Sequence, residues 1–155
     1  MAAPVLAAGS INLIRIKSGR ERLFSNREMM YTGLCGGLPD ILSPHIRLAG
    51  RMSSLTHTLW FLLAAFIFLG ILCFAFPGRF RFRCGLMCGA AIAMHLLADA
   101  VSGGIALFFP LDTLGIGHYY IPPVMWFPLD VAAVSLTLAV LSFSNLMERQ
   151  MNRTE

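Results

Sequence analysis

An all-α, polytopic membrane helical bundle is the fold class this chain predicts, and three observations lead there. Of its 155 residues, 57% are apolar and only 13% charged, against roughly 45–50% and about 25% in soluble domains. Mean hydropathy is +0.70. The apolar residues gather into runs long enough to approach a bilayer, and the basic residues fall in bursts between those runs. Other classes are excluded on the same grounds. Disordered chains are polar and charge-rich, and the 14 Gly and 8 Pro follow no fibrous repeat. The net charge of +4 comes from 12 basic against 8 acidic residues. These form no basic patch interleaved with stacking aromatics, so direct nucleic-acid binding is not expected.

Residues 1–28 come first. Met1–Ala8 is apolar but has no basic residue before it, and Arg15, Lys17 and Arg20 follow at once, which is not the order of a signal peptide. A basic N-terminal interfacial segment is expected. Residues 29–147 form a single membrane-embedded domain, and 148–155 a polar tail. Within the domain, Met29–Leu42 reaches only about 21 Å as a helix. Gly36, Gly37 and Pro39 interrupt it, so a short broken or re-entrant half-helix buried against other helices is expected.

Three full spans follow, at about residues 59–76, 84–103 and 126–144. Leu59–Phe76 is an uncharged run ending at Pro77-Gly78, about 27 Å long against a hydrocarbon core of roughly 30 Å. The second is interrupted by His95 and Asp99, and the third carries Asp130 near its start. By the positive-inside rule, Arg79, Arg81 and Arg83 with Arg149 and Arg153 face the cytoplasm, and the loop Val101–Met125, which has no Lys or Arg, faces out. The basic residues from Arg15 to Arg27 conflict with that unless Met29–Leu42 carries the chain across. Trp60, Tyr119, Tyr120 and Trp126 would lie in one aromatic belt on the outer side. Cys35, Cys73, Cys84 and Cys88 contain no CxxC pair and read as small packing residues.

Ionisable groups inside a bilayer are costly and mark functional sites. His95 and Asp99 stand four apart on one helical face. They can share a cation, or the carboxylate can orient the imidazole; the plain alternative is a hydrogen bond tying helices together. His57, in Thr56-His57-Thr58, opens the preceding span, which runs antiparallel, so it lies at the same end. Asp40 closes the half-helix and His45 follows it. Asp40, His57, His95 and Asp99, with His45 nearby, therefore converge at one end of the bundle. Asp112 and His118 read as solvated loop polarity, Asp130 as a helix cap or a buried acceptor, and Cys84 with Cys88 as packing.

Gly36-Gly37-Leu38-Pro39-Asp40-Ile41, Leu55-Thr56-His57-Thr58, and His95-Leu96-Leu97-Ala98-Asp99 with Ser102 together resemble the YdjM-like, LexA-binding inner-membrane family of metal-dependent hydrolases. That family is marked by PDxD ending an early helix, HRxxTHS before a span and HLxxDxxT inside the next. The resemblance covers roughly residues 33–143. The second Asp of PDxD is Leu42 here, Met52 and Ser53 stand where the first His and Arg of HRxxTHS belong, and Ser102 replaces the final Thr. No histidine precedes His45, so the one typical of the family's N-terminal helix has no counterpart.

The resemblance implies a multi-pass protein of the cell inner membrane with a divalent metal, Zn before others, held by His57, His95, Asp99 and Asp40, and by His45 as a substitute ligand. Asp99 or Asp40 would be the catalytic base, and metal-activated water would attack an ester or phosphoester bond of a small-molecule or lipid-linked substrate. Two other functions use the same residues. A non-catalytic descendant would keep the fold for partner binding or envelope organisation after losing ligands at Leu42 and Met52. A small transporter or proton relay would use His95 and Asp99 and would require a homo-oligomer.

Overall fold

The computed structural model describes residues 2–44, 52–76, 82–112, 114–118 and 120–151. Among them the chain is all-helical, with five α-helices, two short 3-10 turns and one isolated bridge pair, Ile105 with Ile116. The helices are α1 Ala3–Lys17, α2 Asn26–Leu42, α3 Leu59–Ala75, α4 Phe82–Val101 and α5 Trp126–Met151.

Buried Asn12, at 0% exposure, shapes the chain after α1. Its Oδ1 accepts from the backbone N–H of Leu23 and Phe24 at 3.0 and 2.9 Å, and its Nδ2 donates to the Phe24 carbonyl at 2.7 Å. One side chain thereby satisfies three backbone groups that an apolar setting would leave costly. Gly9 lets α1 lie close on α5: a Cβ there would stand 3.1 Å from Val140 and 3.2 Å from Leu141. Arg22 anchors the same contact through Glu148 at 2.6 Å and Asn145 at 2.7 Å. The N-terminal segment thus adds a helix to the bundle.

Ser25 and Glu28 start α2 with a capping box. The Glu28 N–H donates to Ser25 Oγ at 3.2 Å, and Glu28 Oε2 accepts from the Ser25 N–H at 2.7 Å, a pattern that stabilises a helix start by about 1 kcal/mol. The same carboxylate takes two guanidinium bonds from Arg83 at the start of α4, at 2.9 and 3.3 Å. Asp40 at the far end of α2 meets His95 near the far end of α4. The two helices are therefore parallel neighbours. Contrary to the expected broken half-helix, α2 is continuous over 17 residues with Pro39 inside it. Proline removes its own N–H and crowds the carbonyl of Cys35 one turn earlier, but only three residues of the helix lie beyond it. The glycines are tolerated because α2 packs along α4, where a close approach compensates for their lower helix propensity.

Helix α4 is the centre of the bundle. Its buried positions Cys84, Cys88, Ile92 and Leu96 recur every four residues and His95 and Asp99 fall on the adjoining row. Cys84 and Cys88 are free thiols packed with Leu69 and Cys35. Gly89 leaves room for the Phe66 ring of α3, which an added Cβ would overlap. Beyond α4, Gly117 lies at φ 120° against the Ala100 carbonyl, with no room for a Cβ. Together with the His118 N–H donating to that carbonyl at 3.0 Å, it folds the 102–118 loop back onto the helix end.

Among the described residues two helices, not the expected three, are long and apolar enough to cross a membrane: Phe82–Val101 and Pro128–Gln150. Thr58 caps α3 at one end, its Oγ1 accepting from the Phe61 N–H at 3.3 Å, and the helix closes at Phe76. Its 17 residues reach about 25 Å, short of the roughly 30 Å core. Large exposed apolar side chains nevertheless cover much of α3 and α5, with Ile67 66%, Phe74 90%, Val134 52% and Leu138 59% exposed. Such faces require lipid or a partner. Of the expected aromatic belt, Trp60 and Tyr120 are exposed; Tyr119 and the Trp126 side chain lie outside the described residues, as do Arg79 and Arg81.

Burial alone would raise the Glu28 carboxyl, but Arg83 and Ser25 outweigh it and hold it below its ordinary value of 4.5. A lowered folded-state value means the carboxylate's contribution is complete above 4.5 and is lost as pH falls through the folded value. Glu28→Gln should lower stability at neutral pH by about 1–3 kcal/mol through the weakened cap and the lost ion pair. It should also flatten the acid side of a Tm-against-pH curve measured in detergent; an unchanged acid limb would contradict this role.

Candidate metal centre

Three separate elements deliver the polar side chains to one end of the bundle. Asp40 comes from the last turn of α2, His57 from the 3-10 turn Leu55–His57, and His95 and Asp99 from α4. Thr56 and Thr58 hold His57 between them. The Thr56 hydroxyl donates to the Pro39 carbonyl at 2.9 Å, tying the turn to the end of α2. The Thr58 hydroxyl donates to the Leu55 carbonyl at 2.7 Å while capping α3. The N–H of Leu59 donates to the Leu107 carbonyl at 2.9 Å, which brings the loop beyond α4 under the start of α3.

The His57 imidazole is fully buried, with Nδ1 lying 3.1 Å from Thr56 Oγ1 and 3.2 Å from Ser54 Oγ. Thr56 already spends its proton on Pro39, so it accepts from Nδ1–H. That tautomer leaves Nε2 as a lone pair. Burial pushes this imidazole below its ordinary pKa despite Asp99 and Asp40 nearby, so His57 is held in the neutral form that ligates metals.

Around the two Nε2 atoms the distances are short and even. His57 Nε2 lies 3.2 Å from Asp40 Oδ1 and 3.3 Å from Asp99 Oδ2. His95 Nε2 lies 3.6 Å from Asp40 Oδ1, 3.3 Å from Asp99 Oδ2 and 3.5 Å from His57 Nε2. Ligands held at 2.0–2.1 Å in a tetrahedron are about 3.4 Å apart, which matches this set. The donor atoms of Asp40, His57 and His95 all lie within 4.8 Å of one another, and these residues can hold a metal ion. Carboxylate oxygens facing an imidazole lone pair repel unless a cation, a metal ion or a proton, lies between them.

The structure therefore brings together Asp40, His57, His95 and Asp99 as expected from their spacing. His45 lies outside the described residues. Asp112 stays in its loop, where Oδ1 accepts from the Leu114 N–H at 2.8 Å, and His118 is exposed with its ring 5.8 Å from Tyr120. One residue was underweighted by sequence reasoning. Asp130 of α5 lines the same cavity as Asp40, His95 and Asp99, a space of about 460 Å³. Its signal was present as a carboxylate inside an apolar span, but nothing in the sequence says which way α5 turns it.

No curated protein and no solved structure matches this chain. The family model described as YdjM inner membrane protein matches residues 2–152. With nearly its whole length covered, the chain belongs to the YdjM inner membrane protein family and is a protein of the inner membrane.

Proposed function

We propose that this protein is a membrane-embedded metal-dependent hydrolase acting on an ester or phosphoester bond. The observation that carries the reading is the cluster of Asp40, His57 and His95, whose donor atoms all lie within 4.8 Å of one another, with Asp99 Oδ2 3.3 Å from both imidazoles, at the mouth of a cavity. Two imidazoles and a carboxylate with a further position open are the donor set of hydrolytic zinc sites. A divalent ion in that position lowers the pKa of a water it holds toward about 7 and polarises the bond to be cleaved.

The chain's own residues supply the rest. Ser54 and Thr56 fix the His57 tautomer by engaging Nδ1, the outer-shell arrangement that orients a ligating imidazole. Asp99 Oδ2, 3.3 Å from both imidazoles, is placed to take the proton of an attacking water and return it to the leaving oxygen as the ester bond breaks. Asp40, nearly half exposed in its side chain, faces the cavity and completes the triad. The transporter reading fits less well, because the ionisable groups gather at one end of the bundle and do not line a path across it.

Orientation follows from the parallel course of α2 and α4. Arg22 and Arg27, Arg83 and Arg149 all fall at the end opposite Asp40 and His95. The positive-inside rule assigns that end to the cytoplasm and the site to the outer side. The same orientation accommodates Arg15–Arg27, because α2 runs from the basic end toward the site end.

Purified protein should carry about one divalent ion per chain by elemental analysis. His57→Ala, His95→Ala and Asp40→Ala should each weaken metal affinity by more than the roughly 10–100-fold lost with outer-shell partners. Full metal content in all three would sink the proposal. Asp99→Asn should retain metal yet lower the rate on a chromogenic ester or phosphodiester by about 100–10,000-fold. A single cysteine at Asp112 should react with an impermeant maleimide in right-side-out vesicles and one at Arg20 only in inverted ones; the reverse would place the site in the cytoplasm.

A further inference from the structure

The cavity beside the cluster is asymmetric. On one side stand Asp40, His95 and Asp99; on the other, Leu129 and Asp130 of α5; between them run Met94, Leu97 and Val101 along the side of α4. Leu97, Leu129 and Met94 are 60%, 50% and 44% exposed, and they belong to the two helices long enough to cross the membrane. The apolar part of the cavity wall therefore lies on the flanks of these two helices, close to the end of the bundle that carries the cluster.

What keeps it open is how α5 is held. Its anchors to the bundle, Val140 and Leu141 against Gly9 and Glu148 with Arg22, all lie in its C-terminal half. The first half of α5 stands away from α4, and its span is only 11% buried where that of α4 is 50% buried. A helix held at one end leaves a gap at the other, and in a bilayer the apolar part of its wall, Met94, Leu97, Val101 and Leu129, suits an acyl chain whose headgroup reaches the polar part.

Charge adds a second constraint. Asp40, Asp99 and Asp130 all border the cavity. A divalent ion at the cluster offsets two negative charges, leaving the Asp130 carboxylate on the opposite wall. Asp130, exposed toward that space, repels a bare phosphodiester and attracts an ammonium.

We propose that the gap between α4 and α5 admits one acyl chain of a membrane lipid, presents the linkage of its headgroup to the Asp40–His57–His95 cluster, and through Asp130 prefers a zwitterionic, ammonium-bearing headgroup. The substrate class is thus an aminoalkyl phospholipid, an assignment that rests on the hydrolase reading. Asp130 acts here as a specificity-determining residue.

The test reconstitutes the full chain, metal-loaded, in nanodiscs of phosphatidylglycerol doped with phosphatidylethanolamine that carries a diazirine in its acyl chain, and maps the cross-links by mass spectrometry. Labels should concentrate on the segments containing Leu97 and Leu129. Leu97→Trp with Leu129→Trp, which fills the gap, should cut that labelling at least about fivefold with metal content unchanged, the retained metal reporting an intact fold. Asp130→Asn should lower the preference for phosphatidylethanolamine over an equally labelled phosphatidylglycerol by about tenfold, as expected for loss of one charge pair. Labels spread evenly around α3 and α5, or cross-links between two copies of the chain at Leu129, would overturn the proposal. So would an Asp130→Asn variant with unchanged headgroup preference. Focused labelling in a preparation that binds no metal would uphold the lipid gap and remove the hydrolase reading; bound metal with unfocused labelling would do the reverse.

Discussion

The parallel pairing of α2 with α4 is the constraint from which the remaining geometry follows. Asp40 lies 12 residues after Glu28, and His95 lies 12 residues after Arg83. Two helices of equal rise pinned by Glu28 and Arg83 at one end therefore bring Asp40 and His95 level at the other, about 18 Å away. Slipping either helix by one residue would shift that meeting by about 1.5 Å and turn the side chain by about 100°, enough to take a ligand out of a shared coordination sphere. The ion pair does for register what a turn does in a hairpin. It is partly buried, and its carboxylate also caps α2, so three functions converge on one side chain: helix initiation, helix alignment and placement of a site a bilayer leaflet away.

Such a site is electrostatically expensive to assemble. Each of two carboxylates lies within 3.6 Å of both imidazole nitrogens, and the chain holds them there with hydroxyls whose bonds lead elsewhere. Thr56 reaches back to Pro39, Thr58 caps α3, and Ser54 faces His57 Nδ1. Proline at 39 contributes in a way its reputation as a helix breaker hides. Its carbonyl accepts both the Ser43 N–H at 3.1 Å and the Thr56 hydroxyl at 2.9 Å, so the end of α2 and the turn bearing His57 share one acceptor. The PD step and the THT step are thus two halves of one contact.

Much of the site was legible because the signals were local. His95 and Asp99 share a face by helical spacing alone, and antiparallel α3 and α4 put His57 beside them. The fold was read less completely, for reasons that are also physical. Gly36, Gly37 and Pro39 argue for a break when α2 is considered by itself, and the close packing on α4 that outweighs their propensities is a tertiary effect. The length of α3 depends on where Thr58 and Phe76 end it, and apolar composition extends past neither point reliably. The packing of α1 on α5 turns on Gly9 and Arg22, which carry no pattern in sequence. Asp130 needed the rotation of α5, which depends on contacts more than ten residues away.

Where the charges lie also explains why a chain with so few of them keeps several in awkward places. The basic residues described at one end fit an ordinary membrane anchor and cost little, since headgroups and water solvate them. The acids at the other end do not fit that role. Asp99 is 7% exposed and His95 3%, within a helix whose other buried positions are small or apolar, and replacing them with alanine or leucine would pack as well at no solvation cost. Glu28 has Arg83 beside it at 2.9 Å, whereas Asp99 Oδ2 stands 3.3 Å from the Nε2 atoms of both His57 and His95. The fold thus gathers Asp40, His57 and His95 where they could share a cation, and it does so beside the cavity bordered by α4 and α5.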